Sequence, residues 1–261
     1  IAWYENDGSG SFTQHLLNAN VDGVNSVYVA DIDGDGNKDI ISASFYDDKV
    51  AWHRNDGNEN FSENIISTSS DLPFSVYPTD IDGDGDIDVL AANRGPGTIV
   101  LYENDGSGSF TEEHVISNSA DGTVFVYAED VDGDGDMDVL STSQEDNKIA
   151  WYENNGNENF SEHVISTLYY IPDFAYPVDV DGDGDIDVLS PSRGEDKISW
   201  HRNDGNENFS EIAISTSADN NYGVFATDID GDGDIDVLSA SRDGDKVAWH
   251  ENKMTCDDGF D

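Results

Sequence analysis

Cysteine and positive charge are nearly missing from this chain. One cysteine, Cys256, stands among 261 residues, so no internal disulfide can form. It is either a free thiol near the end or the partner of a cysteine in a further segment or another chain. Lysine and arginine together number 11 against 57 aspartates and glutamates, a formal charge of −46. Such a chain repels phosphate backbones and anionic lipid, which makes nucleic acid and bare membrane poor partners. No stretch of about 18 apolar residues is present to cross a bilayer as a helix. There is no signal-peptide pattern and no initiator methionine, and Ile1 falls in mid-repeat, as expected of a processed or excised portion of something longer. No window has the 3.6-residue periodicity of an amphipathic helix. Hydrophobic residues make up 36%, somewhat few for a globular chain, but the aromatics recur at fixed places, which a disordered chain has no reason to do.

What the chain has instead is a repeat. Asp-x-Asp-Gly-Asp-Gly-x-x-Asp begins at Asp31, Asp80, Asp130, Asp179 and Asp228, with starts 49 or 50 residues apart. The unit is legible in residues 26–74. Ser26–Asp31 is a short apolar run, followed by the acidic loop. Asp39–Ser44 is a second run and Phe45–Asp48 a turn. Lys49–Asn55 is a third run, Asp56–Asn60 a turn with glycine, and Phe61–Thr68 a fourth. Short runs rich in Val, Ile, Tyr and Trp, bounded by Gly, Asn and Asp, are strands and turns. Four strands per repeat predict the blade of a β-propeller over residues 1–252, with 253–261 as a tail or the start of another segment. Ile1–Asn20 matches strands three and four of the unit, and Lys246–Asn252 matches strand three again. The expectation is therefore an all-β propeller of five four-stranded blades whose N-terminal strands close the ring and cover its edges. An arc of a larger propeller is the alternative.

The acidic loop has the chemistry of a calcium site. Calcium takes six to eight oxygens at about 2.3–2.6 Å, which a chain supplies locally by curling tightly and turning alternate residues inward. In the first loop, residues 31–39, Asp31, Asp33 and Asp35 do so. Asn37 offers its backbone carbonyl and Asp39 closes the shell, while Gly34 and Gly36 permit the bend. The same roles fall on Asp80, Asp82, Asp84, Asp86 and Asp88 in residues 80–88, and on Asp130, Asp132, Asp134, Asp136 and Asp138 in residues 130–138. They fall on Asp179, Asp181, Asp183, Asp185 and Asp187 in residues 179–187, and on Asp228, Asp230, Asp232, Asp234 and Asp236 in residues 228–236. An EF-hand needs a Glu at position 12 and flanking helices. Position 12 here is Ser42, Ala91, Ser141, Ser190 and Ser239, between strands. Five bound Ca²⁺ would bring the charge to about −36, and the acidity left over fits a salt-rich, screened medium.

With these loops set between two strands, the chain resembles the FG-GAP/VCBS repeat of integrin α-subunit propellers and of many secreted microbial and algal proteins. The resemblance covers nearly the whole length. It implies a propeller with Ca²⁺ in the loop joining strands one and two of each blade. The repeat is shorter than in integrins, and five copies stand where seven are common.

Antiparallel strands place successive connections on alternate faces. The acidic loops and the three-to-four turns share one face. The two-to-three turns and the linkers between repeats share the other, and these vary from repeat to repeat. A constant scaffold under variable loops is how binding faces are often built. On that face Phe74, Tyr169, Tyr170, Phe174 and Tyr222, with Arg94, Arg193 and Arg242, are candidates to stack on a sugar or pair with a carboxylate. Trp3, Trp52, Trp151, Trp200 and Trp249 lie in strand three and read as packing between blades. His15, His114 and His163 hold one repeat position and His53, His201 and His250 another, which argues against catalysis or zinc. Asn60, Asn159 and Asn208 each begin Asn-Phe-Ser. In a eukaryotic secretory pathway they are N-glycan acceptors; in a bacterium they are turn residues.

The functional expectation is a non-catalytic, calcium-stabilised extracellular recognition or adhesion module. Its ligand is carbohydrate or an extracellular protein on the face opposite the calcium loops, and other domains or subunits of a larger assembly are possible partners. A structural subunit of a surface filament or matrix is one alternative. A secreted polysaccharide-degrading propeller is the other, and it would need an acid/base constellation that breaks the repeat.

Overall fold

The computed structural model describes residues 1–17, 20–168 and 171–253, and among these there is no helix. Tyr169, Tyr170, Cys256 and the tail beyond residue 253 lie outside the described residues. The chain opens with a hairpin, β1 (Ala2–Asn6) and β2 (Phe12–Leu16). The first blade is β3 (Val24–Ala30), β4 (Asp39–Ser44), β5 (Lys49–Asn55) and β6 (Phe61–Ser67). The second is β7 (Pro73–Thr79), β8 (Asp88–Asn93), β9 (Thr98–Asn104) and β10 (Phe110–Ser117). The third is β11 (Thr123–Glu129), β12 (Asp138–Ser143), β13 (Lys148–Asn154) and β14 (Phe160–Ser166). The fourth is β15 (Tyr176–Val178), β16 (Asp187–Ser192), β17 (Lys197–Asn203) and β18 (Phe209–Ser215). The fifth has three strands, β19 (Asn221–Thr227), β20 (Asp236–Ser241) and β21 (Lys246–His250). Each blade is an antiparallel meander in sequence order. β15 is short, and an isolated bridge from Pro172 to Ser192 precedes it.

Strand two is buried along its whole length in blades one to four. In blades two to four both of its faces meet a neighbouring blade, and the two-residue period decides which side chain goes where. Val89 and Ala91 pack with Ile41, Val50 and Trp52 of blade one, while Leu90 and Ala92 pack with Val126, Val139 and Tyr152 of blade three. The pattern continues through Leu140 and Trp151 against Val188, and through Leu189 and Trp200 against Val224 and Val237. The hydrophobic core is thus a series of inter-blade seams. Trp52, Trp151 and Trp200 are buried in those seams, as packing residues. His53 and His201 are buried as well, against the hydroxyls of Ser42 (3.0 Å) and Ser190 (3.4 Å). Along the first strands, one position carries Tyr28, Tyr77, Tyr127, Tyr176 and Phe225. Ring centroids lie 5.1 Å apart for Tyr28–Tyr77, 4.3 Å for Tyr77–Tyr127 and 5.5 Å for Tyr176–Phe225.

The ring is not closed, as in the arc alternative. β1 and β2 pair only with each other, and β21 keeps an open outer edge. The reason is local. Trp3 pairs with His15 in the same register as Trp151 with His163, and both pairs stack. β2 therefore already has a strand-three partner a few residues away, and a short hairpin costs far less loop entropy than pairing with the far end of the chain. At the open edge Val247 and Trp249 are 80% and 47% exposed.

A second inter-blade connection is polar. In blades two to five, an asparagine at or just past the end of strand three reaches the acidic loop of the blade before it. The Nδ2 of Asn104, Asn154, Asn203 and Asn252 donates to the carbonyls of Ile32, Ile81, Val131 and Val180 at 2.7–3.5 Å. Asn154 is fully engaged: Nδ2 also donates to Met137 O, and Oδ1 accepts from the backbone of Gly156 and Glu158. Removing it takes a donor from one buried carbonyl, Ile81 O, and one half-buried carbonyl, Met137 O. Asn154→Ala is expected to destabilise the fold by about 1–3 kcal/mol, read as a lower urea midpoint with an unchanged slope.

Candidate metal centre

Each acidic loop links strand one to strand two at a tight corner. Glycines at its fourth and sixth positions take positive φ, 67° at Gly34 and 88° at Gly36, where a side chain would be strained. The carboxylates hold the corner by accepting backbone N–H groups. Asp31 Oδ2 accepts from Gly36 at 2.9 Å, and Asp35 Oδ1 from Asn37 at 2.9 Å. The ninth residue is the anchor. Asp138 Oδ2 accepts from Val131 N at 2.9 Å and Oδ1 from Asn154 N at 2.8 Å, which ties the loop to strand three of its own blade. Asp39, Asp88, Asp187 and Asp236 do the same in their repeats.

The structure brings the first, third and ninth positions together. In the sets Asp31/Asp33/Asp39, Asp80/Asp82/Asp88, Asp130/Asp132/Asp138 and Asp179/Asp181/Asp187, one carboxylate oxygen from each residue lies within 4.8 Å of the others, close enough to share a cation. The residues present fit one. Asp31 Oδ1, Asp33 Oδ1, Asp80 Oδ1 and Asp181 Oδ1 are buried oxygens with no hydrogen-bond partner, and the side chains of Asp33 and Asp181 are each only 8% exposed. A buried, unpartnered carboxylate oxygen is costly unless positive charge sits against it.

The fifth and seventh residues of these loops stand outside those groups. Asp35 and Asp183 are held by Arg54 and Arg202. The seventh side chain leans on the three-to-four turn, so that a Cβ on Gly156 would lie 2.4 Å from Asp136 Oδ2. The expected use of the ninth aspartate needs refining. Both of its oxygens already serve backbone N–H groups, so it fastens the corner as well as facing the cluster. No sequence signal marks that second duty, which follows from the register of strand three.

On the opposite face the candidate ligand residues divide. Arg193 Nη1 and Arg242 Nη1 both donate to the Tyr222 hydroxyl, at 2.9 and 3.0 Å, with their guanidinium carbons 5.0 and 5.7 Å from its ring centre. The two hydrogen bonds, that from Arg193 foremost, hold the phenol below its usual range. Arg193 Nε also pairs with Asp173 Oδ2 at 3.1 Å; burial raises that carboxyl and Arg193 opposes the rise. Gln144 Nε2 donates to Asp173, and Arg94 Nη2 donates to Gln144 Oε1 at 3.3 Å. One polar chain thus runs from Arg94 through Gln144, Asp173, Arg193 and Tyr222 to Arg242, across blades two to five. Gln144 and Asp173 were not among the sequence candidates. Gln144 does stand at the position of Arg193 and Arg242 in its own two-to-three turn, and aligning the turns would have found it. Phe74 and Phe174 do not join this chain. They are half-buried against Phe45 (6.0 Å) and Phe125 (4.6 Å) and pack the linkers. Asn60, Asn159 and Asn208 are exposed in the turns before the outermost strands.

Five sheets in propeller order, each cornered by an acidic loop, define a propeller-type repeat protein. The FG-GAP-like repeat profile matches residues 1–42, 31–91, 80–141, 130–190 and 179–239, and the chain belongs to that family. No curated protein sequence matches it. Among solved structures, a lectin of Agrocybe aegerita that recognises non-reducing terminal N-acetylglucosamine aligns over 88% of this chain at 19% identity, TM-score 0.63. A Staphylococcus aureus virginiamycin B lyase aligns over 95% of this chain and 73% of its own, at 15% identity and TM-score 0.60. A putative 6-phosphogluconolactonase of Bacteroides uniformis aligns over 82% of this chain at 12% identity, TM-score 0.56. This chain spans 66% of the lectin and 65% of the lactonase. At these identities the likeness is one of fold.

Burial pushes the carboxyls of Asp88, Asp138 and Asp187 up to about 7. Their folded values lie above the ordinary 3.8, so between about 4 and about 7 the folded chain holds protons that the unfolded chain has lost. Without metal, stability is therefore expected to fall as pH rises through that window and to level off above it. Melting curves in chelator at pH 5 and pH 8 check the sign, and Asp138→Asn should flatten the slope.

Proposed function

We propose that this chain is a calcium-stabilised, non-catalytic recognition propeller that works outside the cell and binds carbohydrate on the face opposite the acidic loops. The observation that carries the recognition reading is the polar chain from Arg94 to Arg242. In a molecule with 11 basic residues, three arginines stand along one face and two of them share one phenol that is itself 40% exposed. Guanidinium and phenol groups held in place by one another suit the hydroxyls, carboxylates and flat apolar faces of sugars. The lectin among the fold neighbours supports carbohydrate over other ligands.

Calcium is favoured by the donor set. Clustered hard carboxylate oxygens without histidine or cysteine suit an alkaline-earth ion. Modules of this kind bind at roughly 10⁻⁴–10⁻³ M, which places their use in calcium-rich surroundings. Bound ions would stabilise each corner by about 1.4–2.7 kcal/mol at about 10–100 times Kd.

Two outcomes are expected. In millimolar calcium the chain retains specific ligands on a glycan array, and Arg242→Ala and Tyr222→Ala each weaken retention about tenfold or more. Chelator lowers the melting temperature by about 10 °C or more. Retention unchanged in both variants, or turnover of the bound polysaccharide, would contradict the recognition reading. A melting curve indifferent to chelator would contradict the calcium reading.

A further inference from the structure

The five acidic corners are alike in sequence, but the residue beneath them is not. The strand-three position just before the clasping asparagine carries Arg54 in blade one and Arg202 in blade four. In blades two, three and five it carries Glu103, Glu153 and Glu251. Arg54 Nε donates to Asp33 Oδ2, and its Nη2 lies 3.1 Å from Asp35 Oδ2. Arg202 Nε lies 2.5 Å from Asp181 Oδ2, and its Nη2 lies 3.2 Å from Asp183 Oδ2. In both blades one guanidinium fork spans the third and fifth aspartates of the loop.

The glutamates at the same position turn elsewhere. Glu103 Oε1 is 2.6 Å from His114 Nε2, Glu153 Oε2 is 2.9 Å from His163 Nε2, and Glu251 Oε2 is 3.1 Å from Lys253 Nζ. Where they act on a loop they add negative charge: Glu153 raises the Asp132 carboxyl, as do Asp134 and Asp130, behind the larger effect of burial. Loop 31–39 differs further, with Asn37 at the seventh position and Lys38 beside it.

We infer that Arg54 and Arg202 divide the calcium loops into two classes, with loops 31–39 and 179–187 binding the ion more weakly than loops 80–88, 130–138 and 228–236. This rests on the calcium reading of the loops. The arginine takes one oxygen each from the third and fifth aspartates and leaves Asp33 Oδ1 and Asp181 Oδ1 buried and unpartnered. A cation can still enter, but it shares its carboxylates with a fixed positive charge a few ångströms away. At the dielectric of a half-exposed loop that repulsion weakens binding about tenfold. The same fork gives these two corners a counter-charge in the absence of metal. When calcium falls, loops 31–39 and 179–187 empty first but keep the arginine's counter-charge, whereas loops 80–88, 130–138 and 228–236 hold their ions longer and have no arginine fork once they empty.

The test is a calorimetric titration of Ca²⁺ into the chelator-stripped chain. Three tighter sites and two sites weaker by about tenfold are expected. Arg54→Gln with Arg202→Gln should move both weak sites into the tight class, whereas Arg54→Lys with Arg202→Lys, which keeps the charge, should leave two classes. The Arg54 side chain is 47% exposed, so Arg54→Gln alone, moving one site, serves if the double variant does not fold. Five equivalent sites in the unaltered chain, or a class ratio unmoved by the glutamine variants, would overturn the division and leave the calcium reading intact. No calcium uptake at all would overturn both.

Discussion

The structure depends on packing several carboxylates into the corner between two strands. Like charges at that distance repel strongly, and burial makes the repulsion worse. Backbone N–H groups relieve part of it at every corner, and arginines relieve more at two. What remains are oxygens such as Asp80 Oδ1, buried and without a partner. A divalent cation is the counter-charge that fits this arrangement, and we propose calcium in that place.

The consequence reaches beyond the corner because the corner is joined to its surroundings. The ninth aspartate ties the loop to strand three of its own blade, and the next blade's asparagine clasps the loop's second residue through its carbonyl. A corner that opens therefore loosens two blades. The apolar seams run the same way: strand two alternates its side chains between the neighbours on either side. Stability in such an array is carried by interfaces between adjacent units rather than by one central core. The sensitivity of the molecule to calcium would follow from that coupling.

Much of this was legible in the residues. The acidic motif, the strand runs at Asp39–Ser44 and Lys49–Asn55, and the burial of Trp52, Trp151 and Trp200 all follow from period, turn chemistry and repeat register. Ring closure was not legible. Strand composition says that Phe12–Leu16 is a strand-four type but not whether it pairs with Ala2–Asn6 or with the far terminus, and loop entropy decided for the neighbour. Phe74 and Phe174 looked like ligand residues because they sit in variable linkers, yet linkers need packing too. Gln144 and Asp173 carry no local mark, because their importance comes from joining Arg94 to Arg193, two blades apart, which no local window displays. The arginine forks at Arg54 and Arg202 were equally hidden, since their meaning lies in a cross-strand approach to a loop some twenty residues earlier.

The most direct measurement is a crystal structure grown in millimolar calcium, with anomalous scattering used to locate metal. The account predicts an ion coordinated by the first, third and ninth aspartates of the loops at about 2.3–2.6 Å. Loops that keep this shape in ample calcium with no ion between those carboxylates would contradict it.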